Sequence, residues 1–377
     1  MPAALRDVVK VLDDRYDPRW AESWDAVGLV CGDPDASVTK VLFAIDPVAD
    51  VVDEALAWGA DLLVTHHPLF LRPVHGVPAT SDKGRLVHRL ITGGCGLLVA
   101  HTNADCATGG VSDALADALG LPPGKPIDPR PCDPMDKLVT FVPQVDAERV
   151  LDALAIAGAG AIGDYDRCAF TVEGTGTFRP LDGANPTIGQ VGEVASVAET
   201  RLEMVMSRDR RDAVVAALRA AHPYETPAFD VIEVAGEVGP RGTGRVSVLD
   251  EAEPLSVFVQ RVVKGLPATA GGIRVAGEPT RLVRKIAVCG GAGDSLLGSV
   301  RAIGADVYVT ADLRHHPASE AREAAGGPAL VDVAHWATEW PWLERAAEEL
   351  EAGLTTGKAR VQTRVSELVT DPWTLRV

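Results

Sequence analysis

Histidine and carboxylate side chains follow apolar segments at several places in the sequence, where buried strands would end. In an open α/β sheet the carboxyl ends of the strands form the edge at which ligands bind. Mixed histidine and carboxylate donors suit zinc, iron or manganese. The sequence therefore predicts a metal site, and its candidate ligands are His66, His67, Asp105, His335 and Glu339.

The adjacent pair His66-His67 favours two metal ions held close together. Neighbouring residues on a regular strand point to opposite faces, so both imidazoles reach one side only where the strand ends, and Pro68 enforces that ending. Asp105 can supply a carboxylate that bridges two cations. The alternative for the histidine pair is one structural and one exposed histidine. The alternative for Asp105 is that it caps a helix predicted at 111–119.

Thr338 is expected to cap a helix that runs through Glu349, because Pro341 fits only in a first turn. Glu339 then lies at the start of this helix, where a carboxylate can simply favour the helix dipole. Because His335 ends the preceding strand, both side chains can instead turn toward one point. His101 is expected either to be a ligand or to orient one, and Asp312 and His316 are expected to orient ligands or to face a substrate.

The apolar segments alternate with helical patterns, which is typical of an α/β fold. The predicted elements before residue 121 are strand 40–46, helix 48–58, strand 61–65, helix 85–93 and strand 96–100. Further strands are predicted at 284–289, 304–310 and 330–334. Segments 59–65 and 304–310 share Gly-Ala-Asp, a valine and a final threonine, and a His-His-Pro follows each of them. This similarity favours two related halves of one outer domain.

A proline-rich segment interrupts the α/β pattern between Leu121 and Asp136. It cannot form a helix or a central strand, so we predict a linker there. The order strand, helix, strand then occurs twice, at 137–142, 147–157 and 167–173 and again at 201–206, 210–221 and 228–234. Two such units predict a small ferredoxin-like α+β domain.

The composition excludes several classes of partner. The 377-residue chain carries a net charge of −17, whereas nucleic acids and anionic membranes are bound by clustered Lys and Arg, so we expect neither as a partner. No segment reaches the roughly 18 apolar residues that span a bilayer, and charges interrupt the N-terminal amphipathic helix, unlike a signal peptide. The six cysteines contain no CxxC pair and are expected to be reduced. These features predict a cytoplasmic protein.

The same segments, in this order, resemble the NIF-three-like family, dinuclear-metal hexameric proteins often labelled GTP cyclohydrolase I type 2 homologues. The matching motifs are Ser23-Trp24-Asp25, Val27-Gly28-Leu29, Thr65-His66-His67-Pro68, His101-Thr102-Asn103 with Asp105, Val309-Thr310-Ala311-Asp312 with His316, and His335 with Glu339. The resemblance covers the whole chain and implies that the five candidate ligands coordinate two divalent ions per subunit, of zinc, iron or manganese. Ala26, Ala104 and Ala311 replace a usual asparagine, leucine and glycine, which puts local loop geometry in doubt but removes no ligand.

The middle of the chain carries a second resemblance. His222-Pro223-Tyr224-Glu225 with Pro227 is similar to a motif of PII/CutA-like trimeric domains, which longer family members carry as an insertion. The resemblance implies a NIF-three-like α/β domain formed by 1–127 and 241–377, with a PII/CutA-like domain inserted at 128–240. It also implies a homohexamer, a trimer of dimers, whose metal sites face an internal cavity.

Two divalent ions can lower the pKa of a bound water, so the leading hypothesis is a metal-dependent hydrolase of the GTP cyclohydrolase type. Its substrate is a small molecule that the sequence leaves unidentified, since no P-loop or other nucleotide motif supports GTP. The alternative is a non-enzymatic protein, either for metal binding and delivery or as a regulatory scaffold. The acidic composition and the PII-like insertion are compatible with that alternative.

Overall fold

The computed structural model describes residues 2–356 and 359–377 and shows two compact units. The outer unit comprises the chain up to Arg130 and from Pro240 onward, and the inserted unit comprises Pro131–Gly239. The boundaries predicted from the sequence are 127/128 and 240/241. Within the described residues, no helix is both long enough and apolar enough to cross a membrane.

The first sheet of the outer unit has the order β18-β4-β5-β6-β2. Its strands and the neighbouring elements are β1 (Ala3–Ala4), α1 (Leu5–Arg15), β2 (Gly28–Cys31), β3 (Ser37–Val38), β4 (Lys40–Ala44), α2 (Ala49–Trp58), β5 (Leu62–Thr65), α3 (Asp82–Thr92), β6 (Gly96–Val99), α4 (Thr102–Cys106), α5 (Val111–Ala118) and, from the C-terminus, β18 (Gln362–Val365). Strands β18, β4, β5 and β6 are parallel, and β2 is antiparallel to β6. The apolar residues of β4 and β5 are buried, as expected for central parallel strands.

The inserted unit follows the short strand β7 (Asp128–Pro131). Its elements are β8 (Met135–Pro143), α6 (Ala147–Ile156), β9 (Phe170–Phe178), β10 (Ala195–Ser207), α7 (Arg211–Ala221) and β11 (Phe229–Glu233). The sheet order is β11-β8-β10-β9, and the paired strands are antiparallel. The order βαββαβ with this sheet is that of a ferredoxin-like unit. Leu138, Leu154, Met204 and Leu218 belong to its core.

The second sheet of the outer unit has the order β13-β15-β16-β17-β14. The elements of this part of the chain are β12 (Val238–Thr243), β13 (Arg245–Pro254), α8 (Leu255–Gly265), β14 (Arg274–Ala276), β15 (Leu282–Ala292), α9 (Leu297–Ala302), β16 (Val307–Ala311), α10 (His315–Glu323), β17 (Ala329–Val333), α11 (His335–Glu339) and α12 (Pro341–Thr356). Strands β15, β16 and β17 are parallel, and both edge strands are antiparallel to their neighbours. β12 pairs with β7 in a separate two-stranded sheet.

The two Gly-Ala-Asp segments use their aspartates in the same way. Asp61 precedes β5 and accepts the backbone N–H of Lys40, at the start of the neighbouring parallel strand, at 2.9 Å. Asp306 precedes β16 and accepts the backbone N–H of Lys285 at 2.8 Å. Both lysines donate to a carbonyl at the end of the intervening helix region. This repeated arrangement supports the expectation of two similar halves.

One hydrophobic core connects both sheets of the outer unit. Phe43 of β4, Val309 of β16 and Trp342 of α12 belong to a single buried cluster, which also includes residues of α1, α5 and α8. Because the sheets share this core, the residues that follow β5, β6, β16 and β17 are held near one another. Those residues include the predicted metal ligands.

The prediction of a helix capped by Thr338 is wrong in one respect. The short helix α11 spans His335–Glu339, and α12 begins separately at Pro341. Thr338 therefore does not cap the long helix; its hydroxyl donates to the carbonyl of His335 and accepts the N–H of Gly291. Glu339 ends α11 instead of starting α12, and it lies one turn after His335.

Candidate metal centre

His66 and His67 follow β5, and hydrogen bonds fix both rings. The Nδ1–H of His66 donates to the carbonyl of Ala100 at 2.9 Å, and the Nδ1–H of His67 donates to Asp46 at 2.7 Å. In both rings this leaves Nε2 free to bind a metal, because a hydrogen bond at one ring nitrogen selects the tautomer and orients the ring. The His66 side chain is fully buried, whereas that of His67 is 22% exposed.

His101 is held in the same manner after β6. Its Nδ1–H donates to Asp25 at 2.8 Å, and Asp25 also accepts hydrogen bonds from Thr102. Burial opposes ionisation of Asp25, but the hydrogen bonds from His101 and Thr102 lower its pKa well below the usual value. Asp105 follows on α4, with one carboxylate oxygen 3.6 Å from Nε2 of His66.

His335 completes the set of oriented histidines. Its Nδ1–H donates to Asp312 at 2.7 Å. Asp312 follows β16 with a φ of 55°, a left-handed conformation that is uncommon outside glycine and often marks functional positions. Because His335 and Glu339 are four residues apart on α11, their side chains lie on one face of the helix.

Glu339 lies at the centre of the cluster and is 3% exposed. Its Oε1 atom is 3.0 Å from Nε2 of His335 and 3.5 Å from Nε2 of His66, and its Oε2 atom is 3.1 Å from Nε2 of His67. Gly291 makes room for this carboxylate, since a Cβ atom there would lie 2.4 Å from Oε1. The carboxylate is therefore surrounded by ring nitrogens.

The donor atoms form two overlapping groups that could each hold a metal ion. One group contains His66, His67 and His101, and the other contains His67, His335 and Glu339, with the donor atoms of each group within 4.8 Å of one another. Among the described residues, Nε2 of His66 and Oε2 of Glu339 are buried without a hydrogen-bond partner. Oε2 is close to His67 but lacks the alignment of a hydrogen bond. Buried, unpartnered donor atoms of these types fit a cation.

Without a metal, the cluster binds protons. Burial lowers the pKa of His335 and of His67, but the carboxylate of Glu339, together with Asp312 and Asp46 respectively, raises these pKa values to about 11 and about 10. Burial disfavours ionised Glu339, yet the surrounding histidines hold its pKa well below the usual value. Burial raises the pKa of Asp105. Protonated imidazoles thus neutralise the buried glutamate in the metal-free protein.

The structure brings the five predicted ligands together and adds His101 to them. The sequence leaves His101 either as a ligand or as an orienting group; in the structure Asp25 orients its ring, and it belongs to a donor group. Asp312 holds the ring of His335, the position expected of an orienting group. His316 is exposed on α10, where its ring contacts that of His315, and no contact joins it to the cluster in the described part of the chain.

Sequence reasoning misses Asp25 and Asp46 as the residues that orient His101 and His67. Asp25 lies in one of the family motifs, which by itself gives the residue no role, and Asp46 is the polar residue just after β4. Like the ligands, Asp46 lies at the end of a strand, and this position is the signal in the sequence that could have identified it as part of the site. Gly291 belongs to a glycine-rich segment, but only the structure shows that it faces Glu339.

The fold and the site define an α/β protein with a candidate metal centre at the ends of parallel strands. The chain belongs to the Duf34/NIF3 (NGG1p interacting factor 3) family, whose sequence profile matches residues 3–372.

Relatives match the chain over its full length. The "GTP cyclohydrolase 1 type 2 homolog" of Mycobacterium tuberculosis is 52% identical over 376 residues, which cover 100% of this chain and 98% of the relative. A Bacillus cereus protein related to NIF3 has a crystal structure with a TM-score of 0.82 at 34% identity, covering 100% of both chains. Staphylococcus aureus protein SA1388 gives a TM-score of 0.84 at 29% identity, covering 100% of this chain and 99% of that one.

Proposed function

We propose that this protein binds two divalent metal ions and uses them to hydrolyse a small molecule. The observation that carries the proposal is the common orientation of four histidines. Each has its Nδ1–H bonded to a protein acceptor, so that each Nε2 is available to a cation. For the fully buried His66, this Nε2 has no hydrogen-bond partner among the described residues, which a bound cation would supply.

The ligand set that we propose divides between two adjacent ions. His66, His101 and Asp105 would hold one ion and His335 would hold the other, and His67 and Glu339 lie where these two sets of ligands meet. The overlap of the two donor groups at His67 and the central position of Glu339 support this division. The donor types suit zinc, iron or manganese.

Bound divalent ions supply Lewis acidity, which activates water and polarises a substrate oxygen. The chain's own residues prepare the site for this chemistry. Asp46, Asp25 and Asp312 each accept the Nδ1–H of one imidazole, which selects the tautomer whose Nε2 can bind a cation. Glu339 is kept ionised by its neighbours, so its negative charge remains available at neutral pH.

The names of some relatives bear on the type of reaction. The relatives named as homologues of GTP cyclohydrolase 1 type 2 suggest that the reaction is a ring-opening hydrolysis. We propose that the inserted unit is a PII/CutA-like domain, which its ferredoxin-like strand order supports. The family resemblance is the basis for the further proposal that six chains assemble as a trimer of dimers. The free cysteines of the described chain support a cytoplasmic location.

Metal analysis tests the proposal most directly. Protein purified without added metal or chelator should contain about two transition-metal ions per chain, as measured by elemental analysis, and should hydrolyse a member of a small-molecule panel that includes GTP. His335→Ala should lose metal and activity together. His316→Ala is the matched control, because this exposed histidine lies outside the cluster, and it should retain both.

Two results separate the alternatives. Full metal content in both His335→Ala and Glu339→Ala would show that these residues are not ligands and would overturn the proposed centre. Two rapidly exchanging metal ions without turnover of any substrate would instead favour a protein for metal delivery or regulation.

A further inference from the structure

A cavity of about 690 Å³ borders the candidate metal centre on the side of His67 and His335. Its lining also includes Arg274 and the C-terminal residues from Thr370 to Arg376, apart from Thr374. The volume is in the range of small-molecule sites, roughly 300–1,000 Å³. A substrate of the proposed hydrolase would lie here, so the assignment of a ligand to this cavity rests on that proposed function.

Most of the carboxylates in this cavity already have partners. Three lining aspartates are paired within the chain: Asp46 with His67 and Thr370, Asp312 with His335, and Asp332 with Arg274. Their role is to orient other side chains. They are therefore poor candidates for contacts with a bound molecule.

Asp371 differs from these three. It is 6% exposed, and the backbone N–H of Trp373 donates to its carboxylate, but the buried Oδ2 atom has no hydrogen-bond partner among the described residues. Leaving a buried charged acceptor unpaired is unfavourable. Because Asp371 lines the cavity, a hydrogen-bond donor on a bound molecule is the partner that the chain itself does not supply.

Two other side chains that line the cavity indicate which further groups the bound molecule carries. The indole of Trp373 is 70% exposed and lines the same cavity, so it offers a flat apolar surface for a planar ring. Arg376 lines the cavity as well, is exposed, and has no ion pair or hydrogen bond within the described chain. An unpaired guanidinium is suited to a phosphate or carboxylate group.

We propose that this cavity binds a planar nitrogen heterocycle that carries an N–H donor and an anionic substituent. Asp371 accepts the N–H, Trp373 stacks on the ring, and Arg376 pairs with the anion. The reactive part of the molecule then lies beside His67 and His335.

Inosine 5′-monophosphate and its N1-methyl derivative are matched probes, because methylation removes the single N–H of the ring and keeps the phosphate. Calorimetry with zinc-loaded protein should show that the unmethylated nucleotide binds roughly 10- to 100-fold more tightly, as expected for a hydrogen bond to a charged group. Asp371→Ala should remove this preference. Asp371→Asn, which keeps an acceptor oxygen and the side-chain shape, should retain part of it.

Arg376→Gln tests the anionic contact. It should weaken binding of inosine 5′-monophosphate and leave binding of inosine unchanged. Asp250→Asn, at an exposed carboxylate of β13 outside the cavity, should change neither affinity. Metal content, measured on every variant, should equal that of the wild type, because none of these residues is a proposed ligand.

Equal affinity for the two nucleotides, a preference that survives in Asp371→Ala, or no binding of either probe would each overturn the inference. These outcomes are distinct from failure of the proposed hydrolysis. If the probes bind as expected but no substrate is turned over, the hydrolase proposal fails and the binding site stands. If another substrate is hydrolysed equally well by Asp371→Ala, the hydrolase stands and this assignment fails.

Discussion

The Nε2 atom of His335 lies 3.0 Å from Oε1 of Glu339, one turn further along α11. The other nitrogen of the same ring donates to Asp312, which comes from the end of a different strand. Asp312 thus orients the imidazole of His335 through Nδ1, while Nε2 faces the cluster of proposed metal ligands. Loss of the orienting carboxylate should affect metal binding without removing a ligand.

Asp312→Asn is expected to lower metal affinity by about 10- to 100-fold, the usual effect of losing a group that orients a ligand. Asparagine tolerates the positive φ of this position, so the backbone should be retained. Competition with a chromophoric chelator measures the affinity. The exposed Asp250, changed to Asn, serves as the control, and an unaltered affinity in Asp312→Asn would contradict the orienting role.

Metal binding is expected to release protons. Burial lowers both pKa values, but Glu339 together with Asp46 raises that of His67 to about 10, and Glu339 together with Asp312 raises that of His335 to about 11. Below these values the metal-free protein carries both imidazoles protonated, and each must lose a proton before it can bind a cation. The apparent affinity should therefore increase with pH, by about one log unit per pH unit for each proton displaced.

Calorimetry in buffers of different ionisation enthalpy measures the number of protons released. The same binding enthalpy in every buffer, together with a constant affinity between about pH 6 and 8, would show that the histidines are neutral before the metal arrives.

The strands that position the site could be predicted because their apolar runs are short, buried and followed by polar residues. The shared Gly-Ala-Asp segments also indicate where equivalent strands begin. The five-residue helix α11 could not be predicted, because it is too short to show a helical period and Thr338 is a typical capping residue. Pro341 does lie in the first turn of α12, as the proline rule requires, although the predicted start at Glu339 is wrong.

Asp312 could be predicted as an orienting group, but the pairing of each orienting aspartate with its histidine could not, because the paired residues are distant in sequence. Asp25 and His101 are 76 residues apart, and Asp46 and His67 are 21 residues apart. The first pairing depends on β2 lying beside β6 in the sheet, and the second on β4 lying beside β5. No local pattern of residues contains that information.

Gly291→Ala is expected to disrupt the metal centre while the protein still folds. The added Cβ would lie 2.4 Å from Oε1 of Glu339 and 3.1 Å from Nε2 of His335, so these ligands must move. The positive φ of Gly291 adds a strain of about 1 kcal/mol. Elemental analysis should show loss of metal, with a circular dichroism spectrum like that of the wild type.

The control is Gly298→Ala, on helix α9, where the added Cβ meets no atom within 4 Å. This variant should keep its metal and gain slightly in stability, since alanine favours a helix. Wild-type metal content in Gly291→Ala would show that the ligands adjust without loss of binding.

Arg245 is expected to be important for the stability of the outer unit. It is 2% exposed at the start of β13, and its guanidinium donates to Asp113 and to the carbonyls of Ala107, Gly242 and Gly244. Removing one partner of a buried ion pair typically costs about 3–5 kcal/mol, because the other charge is left unpaired. Arg245→Ala should lower the free energy of unfolding by about this amount.

The exposed pair Arg6–Asp35 provides the comparison, since both side chains are more than half exposed. Arg6→Ala should change stability by less than about 1 kcal/mol, the usual range for a surface ion pair. Urea unfolding followed by tryptophan fluorescence separates the two units, because all seven tryptophans of the sequence lie outside residues 131–239. Similar losses of stability in the two variants would show that Arg245 does not stabilise the fold through its buried contacts.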